Sequence, residues 1–160
     1  MSPPRATRRA RGGIAGGVCA RPSLLHTIIA VSGTRTSRVM IVEDEALISL
    51  MLESVLQSSG FDVVGIADEF DGAVELFEQT QPDLVLMDVS IIGQRDGIDT
   101  ANALRARRPV PVIFLTAYTD ASTVDRMREA GAYDVLSKPL EGSALRRMVS
   151  SAIAASFERG

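Results

Sequence analysis

The stretch Asp83-Leu84-Val85-Leu86-Met87-Asp88 is the most informative part of this 160-residue chain. Four apolar residues between two aspartates are typical of a buried strand in a parallel sheet. A carboxylate at the last position then lies at the carboxyl end of the sheet, where open α/β folds bind their ligands. Asp88 is therefore the first candidate for a functional residue.

Three other apolar runs of the sequence also end in polar residues. They end at the acid pair Glu43 and Asp44, at Thr116 and at Lys138. Because the carboxyl ends of parallel strands meet at one edge of a sheet, we expect these side chains to share a crevice with Asp88.

Around these runs the chain alternates strand and helix five times. The strands are predicted at residues 39–42, 62–67, 83–88, 110–115 and 133–137, and the helices at 46–59, 69–80, 97–107, 121–131 and 143–157. Asp120 is predicted to cap the fourth helix, and Gly60 to follow the end of the first. The core face of the first helix is predicted to carry Ile48, Met51, Leu52, Val55 and Leu56. Five such units indicate an α/β fold, a doubly wound parallel sheet with five helices on its two faces.

Charge divides the chain into two parts. Residues 1–38 carry seven arginines and no acid, whereas the remainder carries 10 basic and 20 acidic side chains. An acidic body does not suit DNA binding, which needs clustered positive charge. Cys19 is the only cysteine, which excludes an intrachain disulfide and favours a reducing cytoplasm.

The N-terminal segment 1–37 has three open interpretations. It resembles a poor export or transit signal, a basic segment that binds membrane or nucleic acid, or a disordered extension. The apolar patches are too short to span a membrane, and the longest is interrupted by His26. A disordered basic extension before a domain at 38–157 is the favoured interpretation.

The acids point to a metal site. Residues 43–45 are three acids in a row, more than a helix start needs, and Asp88 nearby would repel them unless a cation is bound. Mg²⁺ prefers such hard oxygen ligands. Asp44 and Asp88 are predicted as direct ligands, Glu43 as a ligand through water, and the backbone carbonyl of Ser90 as a further ligand.

The same edge of the sheet suits phosphoryl transfer. Asp88 is then the nucleophile, while Mg²⁺, Lys138 and the Thr116 hydroxyl hold the phosphoryl oxygens. Each residue also has a structural alternative. Adjacent acids often open a helix, a strand-end threonine is usually structural, and a strand-end lysine is normally solvated.

Taken together, five motifs resemble the response-regulator receiver domain of bacterial two-component signalling. They are Val39-Met-Ile-Val-Glu-Asp-Glu45, Asp83-Leu-Val-Leu-Met-Asp88, Asp96-Gly97, Val112-Ile-Phe-Leu-Thr-Ala117 and Leu136-Ser-Lys-Pro139. The resemblance implies a flavodoxin-like sheet of strand order 2-1-3-4-5. It further implies that Asp88 accepts the phosphoryl group, Glu43 and Asp44 form the acidic pair, and Thr116 and Lys138 bind phosphate.

The resemblance assigns Ala117 as the small residue beside the phosphoryl group, and the fourth helix, fifth strand and fifth helix as the signalling face. The sequence departs from the family in the loop after Asp88, which lacks the usual proline and is longer by a residue. Val135 also stands where the family often has an aromatic residue. We expect switching through backbone movement after Thr116, with Tyr133 on the same strand face as Val135.

The function expected from the residues and the resemblance is that of a stand-alone cytoplasmic receiver without a DNA-binding domain or membrane span. Its partners would be a sensor histidine kinase or histidine phosphotransfer protein and a downstream protein target. It would not be an enzyme beyond its own phosphorylation and dephosphorylation. Two alternatives remain: a Mg²⁺-dependent phosphohydrolase, although Asp88-Val89-Ser90 lacks a second acid, and a receiver-like module that is never phosphorylated.

Overall fold

The five strands form one parallel sheet in the order β2-β1-β3-β4-β5 in a computed structural model that describes residues 35–118 and 120–158. The strands are β1 Arg38–Val42, β2 Asp62–Ala67, β3 Leu84–Asp88, β4 Val112–Thr116 and β5 Asp134–Ser137. The helices are α1 Ala46–Ser58, α2 Phe70–Thr80, α3 Gly97–Arg107, α4 Ala121–Glu129 and α5 Gly142–Phe157. The predicted fold class and strand order are confirmed, whereas residues 1–34 of the predicted N-terminal extension lie outside the described residues.

Alternation along the central strands builds two cores. Met40 and Val42 of β1 face the layer made by α2, α3 and α4, whereas Val39 and Ile41 face α1 and α5. β1, β3 and β4 are buried on both faces, which is why their sequences read as continuous apolar runs. Within the described residues, no helix combines the length and the apolar character needed to cross a membrane.

Two predicted helix ends are confirmed. Asp120 precedes α4, and its Oδ2 accepts hydrogen bonds from the Ser122 hydroxyl at 2.6 Å and from the Thr123 amide at 2.9 Å. The Ser122 bond, followed by the Thr123 bonds, lowers the pKa of Asp120 to about 2. Gly60 follows the end of α1 with a φ of 85°, a conformation that glycine adopts without strain.

Two predicted side-chain orientations are wrong. Met51 of α1 is 39% exposed, and Ser49 is buried in its place because its hydroxyl is satisfied by the Ala46 carbonyl at 2.9 Å. Tyr133 packs on the α1 and α5 side of the sheet, whereas Val135 packs on the other side. Tyr133 precedes β5, so strand alternation does not apply to it.

Gly97 at the start of α3 lies directly against the backbone of Asp88 at the end of β3. A Cβ at this position would overlap the backbone carbonyl oxygen of Asp88, which cannot move without displacing β3. We expect Gly97→Ala to lower the free energy of unfolding by about 1–3 kcal/mol in urea titrations.

Gly72 provides the matched control for this prediction. A Cβ at Gly72, in the first turns of α2, would meet only Glu69 Cγ at 3.9 Å. Gly72→Ala should therefore leave stability unchanged or raise it by up to about 1 kcal/mol. Equal stability of the two variants would contradict the predicted clash.

Candidate functional site

The site lies at the carboxyl ends of the neighbouring strands β1 and β3. The helices that follow them, α1 and α3, pack on opposite faces of the sheet. Val42 pairs with Met87 in the sheet, so Glu43 and Asp88 follow side by side. The amide of Lys138 donates to the Thr116 carbonyl at 2.8 Å, which carries the end of β5 to the same edge. The sheet thus brings together residues that are as far as 95 positions apart in the sequence.

Lys138 is the charged centre of the site. Its Nζ lies 3.0 Å from Glu43 Oε2 and 3.0 Å from Asp88 Oδ2. The Lys138–Pro139 bond is cis. Burial lowers the pKa of Lys138, but hydrogen bonds to Glu43 and Asp88 and their charges outweigh it, so the pKa is raised. The predicted inward direction of this lysine is therefore found in the structure.

Glu43 is the most deeply buried acid of the site, with 1% of its surface exposed. Its Oε2 accepts from Lys138 and its Oε1 accepts from the Glu45 amide at 3.1 Å. Burial raises the pKa of Glu43, and these hydrogen bonds only partly offset the effect. Because its carboxylate is almost fully buried and pairs with Lys138, Glu43 holds Lys138 in place and is less accessible to an added ligand than half-buried Asp44.

Asp88 divides its two oxygens between two partners. Oδ2 accepts from Lys138, and Oδ1 accepts from the Ser90 amide at 3.2 Å. The residue is 4% exposed, so the carboxylate is buried but reaches the floor of a cavity of about 290 Å³. This cavity is lined by Asp44, Glu45, Asp88, Ser90, Ala117, Tyr118 and Lys138.

Three acids cluster at this site in the part of the chain that the structure describes. Glu43, Asp44 and Asp88 each offer one carboxylate oxygen, and these oxygens lie within 4.8 Å of one another. Asp44 is the half-buried member, and among the described residues its side chain has no hydrogen-bond or ion-pair partner. Hard oxygen donors at this spacing fit a small divalent cation such as Mg²⁺.

Thr116 is at the predicted edge of the sheet, but its hydroxyl is engaged elsewhere. Thr116 Oγ1 accepts from the Tyr118 amide at 2.9 Å and donates to the Tyr118 carbonyl at 3.3 Å. The residue is 1% exposed, and the hydroxyl closes the turn that leaves β4. The structure thus groups Glu43, Asp44, Asp88 and Lys138, whereas Thr116 lies beside the cavity without lining it.

Tyr118 was missed by sequence reasoning. It lines the cavity with 53% of its surface exposed. The only available signal is its place two residues after a strand-end threonine, which is too common a pattern to identify a site.

A larger cavity of about 620 Å³ lies at the opposite end of the sheet, near Val110 and Gly131, and no acid lines it.

Lys138 is the only lysine in the sequence, so its ionisation can be followed alone. We expect the ¹³Cε signal of Lys138 to titrate above the usual 10.5, and Glu43→Gln to lower the midpoint. Since the pKa is higher in the folded state, the stabilisation from these pairs is fully present below about pH 10.5 and is lost as the pH rises through the folded value. A wild-type midpoint at or below 10.5 would contradict the ion pairs.

Known proteins with similar sequences share one domain type. Residues 39–150 match the sequence model of the response regulator receiver domain. The transcriptional regulatory protein PdtaR of Mycobacterium tuberculosis is 43% identical over 116 residues, which cover 72% of this chain and 56% of that protein. The DNA-binding response regulator MtrA of Mycobacterium bovis is 39% identical over 108 residues, covering 68% and 46%. The chain thus spans about half the length of these relatives.

The fold comparison agrees with the sequence comparison. The signal receiver domain of a modulated diguanylate cyclase from Desulfovibrio desulfuricans superposes with a TM-score of 0.74 at 33% identity, covering 78% of this chain and 99% of that chain. The receiver domain of the putative response regulator NarL from Mycobacterium tuberculosis gives 0.69 at 27% identity, covering 74% and 97%.

Proposed function

The chain belongs to the response regulator receiver domain family, and from this premise we propose that it is a phosphorylated signalling domain whose acceptor is Asp88. The observation that carries the proposal is the Asp88 carboxylate, buried against Lys138 and within reach of two further acids at the floor of an open cavity. We assign the receiver domain to residues 38–157.

The transfer step follows from the groups present. An Asp88 carboxylate oxygen attacks phosphorus, the bond between phosphorus and the donor nitrogen or oxygen breaks, and the donor leaves with that electron pair. Lys138 has three N–H donors, two of which point to Glu43 and Asp88, so the third can reach a phosphoryl oxygen. Lys138 therefore both holds Asp88 and neutralises the incoming charge.

We propose that Asp44, Asp88 and the backbone carbonyl of Ser90 hold Mg²⁺, with Glu43 acting through water. The bound ion supplies charge neutralisation between the carboxylates and the phosphoryl group. Asp44 suits direct ligation because its carboxylate is free of protein partners among the described residues and opens to the cavity. Glu43 suits an indirect role because it is almost fully buried and does not line the cavity.

Thr116 and Ala117 are assigned to the response to phosphorylation. The Thr116 hydroxyl must give up its hydrogen bond to the Tyr118 carbonyl before it can donate to a phosphoryl oxygen, and that change loosens the turn that leads to α4. Ala117 lines the cavity with only a methyl group, so it leaves room for the phosphoryl group. Signalling then passes through α4, β5 and α5 to a protein target.

The donor is proposed to be a sensor histidine kinase or a histidine phosphotransfer protein. α1 begins two residues after Asp44 and exposes three apolar side chains on one face. These are Leu47, Leu50 and Met51, with 81%, 59% and 39% of their surfaces exposed. An apolar patch beside an acidic cavity suits docking of a protein better than capture of a small polar substrate.

A phosphohydrolase is the main alternative, but the position two residues after Asp88 carries no acid. Ser90 stands two residues after Asp88, where such an enzyme needs a second carboxylate, and only its backbone contacts Asp88.

The test is incubation with acetyl phosphate, with Mg²⁺ or with chelator, followed by intact-mass measurement. One labile phosphoryl adduct that needs Mg²⁺ supports the receiver, whereas steady turnover of a generic phosphomonoester supports the hydrolase. Absence of any adduct favours the non-phosphorylated module.

A further inference from the structure

The loop between β3 and α3, residues 89–96, forms one wall of the acid site. Its first part is anchored inward, because Val89 is 5% and Ile91 is 9% exposed. Between them, the Ser90 amide donates to Asp88 Oδ1 at 3.2 Å. The position of Ser90 relative to Asp88 therefore depends on the path that this loop takes.

The outer part of the same loop is tied to the start of α2. Ile92 forms a parallel bridge with Glu69, the residue before α2. The guanidinium carbon of Arg95 lies 3.9 Å from the centre of the Phe70 ring, within the range of a cation–π contact. The loop is thus held on one side by Asp88 and on the other by two consecutive residues of a different βα unit.

We infer that Phe70 and Arg95 form a brace that positions the β3–α3 loop, and with it the Ser90 backbone, at the acid site. Both are positioning residues, since neither lines the cavity. This inference rests on the Mg²⁺ site proposed above, because the Ser90 carbonyl is one of its proposed ligands. The brace secures the β3–α3 loop, which by the family resemblance is longer than usual by a residue and lacks the usual proline.

The competing explanation is that Arg95 and Phe70 only make a surface contact and do not position the loop. Removal of the Arg95 charge has opposite expected effects under the two explanations. If Arg95 acted only as a nearby cation, its removal would tighten Mg²⁺ binding by reducing repulsion. If Arg95 instead braces the loop, its removal would weaken Mg²⁺ binding. Phe70→Leu avoids the charge question altogether, because it removes the aromatic face and keeps an apolar side chain.

The test measures Mg²⁺ affinity of the full chain by calorimetry for the wild type, Phe70→Leu and Phe70→Tyr. Phe70→Leu should bind Mg²⁺ about two- to fivefold more weakly, and Phe70→Tyr, which keeps the ring, should restore binding to within about twofold. In the absence of Mg²⁺, hydrogen exchange of the Ser90 amide should accelerate in Phe70→Leu only.

Arg107→Gln is the matched control. Arg107 also joins α3 to α2, through Glu78 at 2.8 Å, but it lies at the far end of both helices. The Arg107→Gln variant should bind Mg²⁺ with wild-type affinity. The brace, but not the metal site, would be overturned if Phe70→Leu bound Mg²⁺ as tightly as the wild type. It would also be overturned if Phe70→Tyr or Arg107→Gln weakened Mg²⁺ binding as much as Phe70→Leu does. A wild type that binds no Mg²⁺ would overturn the metal site, and the brace with it.

Discussion

Replacing Asp88 with asparagine should abolish the phosphoryl adduct that acetyl phosphate forms on the wild type. The amide is isosteric with the carboxylate but is a far weaker nucleophile. No other acid is expected to replace it, because Glu43 does not line the cavity and Asp44 makes no contact with Lys138. Intact-mass spectra of the two proteins under the same conditions measure the loss directly.

The control for this prediction is Asp125→Asn on the exposed surface of α4. Within the described residues, Asp125 pairs with Arg128 at 3.4 Å, and both side chains are largely exposed, so this change should leave phosphorylation intact. Circular dichroism should show that both variants are folded. An adduct of equal yield on Asp88→Asn would mean that the acceptor is a different residue, which peptide mapping would then identify.

Replacing Asp44 with alanine should remove Mg²⁺ binding while the fold survives. Loss of an outer-sphere partner commonly costs about 10–100-fold in metal affinity, so loss of a direct ligand should cost at least as much. Asp44 leaves no buried group unpaired when it is removed, and one source of repulsion disappears with it. Without Mg²⁺, the melting temperature should therefore be unchanged or higher.

Thermal melts with and without Mg²⁺ measure both halves of this prediction. The matched variant is Glu45→Ala, because Glu45 is an adjacent exposed acid whose contact with Glu43 is made by its backbone. It should keep most of the Mg²⁺-induced rise in melting temperature. A rise of wild-type size in Asp44→Ala would show that the ion binds without this carboxylate.

Much of the fold was predictable because the sequence patterns are local. Continuous apolar runs identify β1, β3 and β4, since strands buried on both faces need apolar residues at every position. The Asp120 cap and the Gly60 end of α1 depend on backbone groups within a few residues. The strand order required the resemblance, because a parallel βα repeat is compatible with more than one order.

Predictions failed where the local pattern stopped applying. Tyr133 was placed with Val135 by strand alternation, but β5 begins only at Asp134, so the tyrosine turns to the other face. Met51 has the spacing of a core residue, yet the buried face of α1 runs through Ser49, Leu52 and Leu56, and 39% of the Met51 surface is exposed.

Strand patterns in the sequence were enough to predict which side chains reach the carboxyl edge of the sheet: Glu43, Asp44, Asp88, Thr116 and Lys138. The partners of these side chains depended on how the strands and loops pack together. The tertiary structure placed Lys138 between Glu43 and Asp88, turned the Thr116 hydroxyl to Tyr118, and set Arg95 over Phe70. The physical reason is that periodicity records which face of an element a residue occupies. Contacts between residues 95 positions apart depend on how separate strands pair and how loops cross between them.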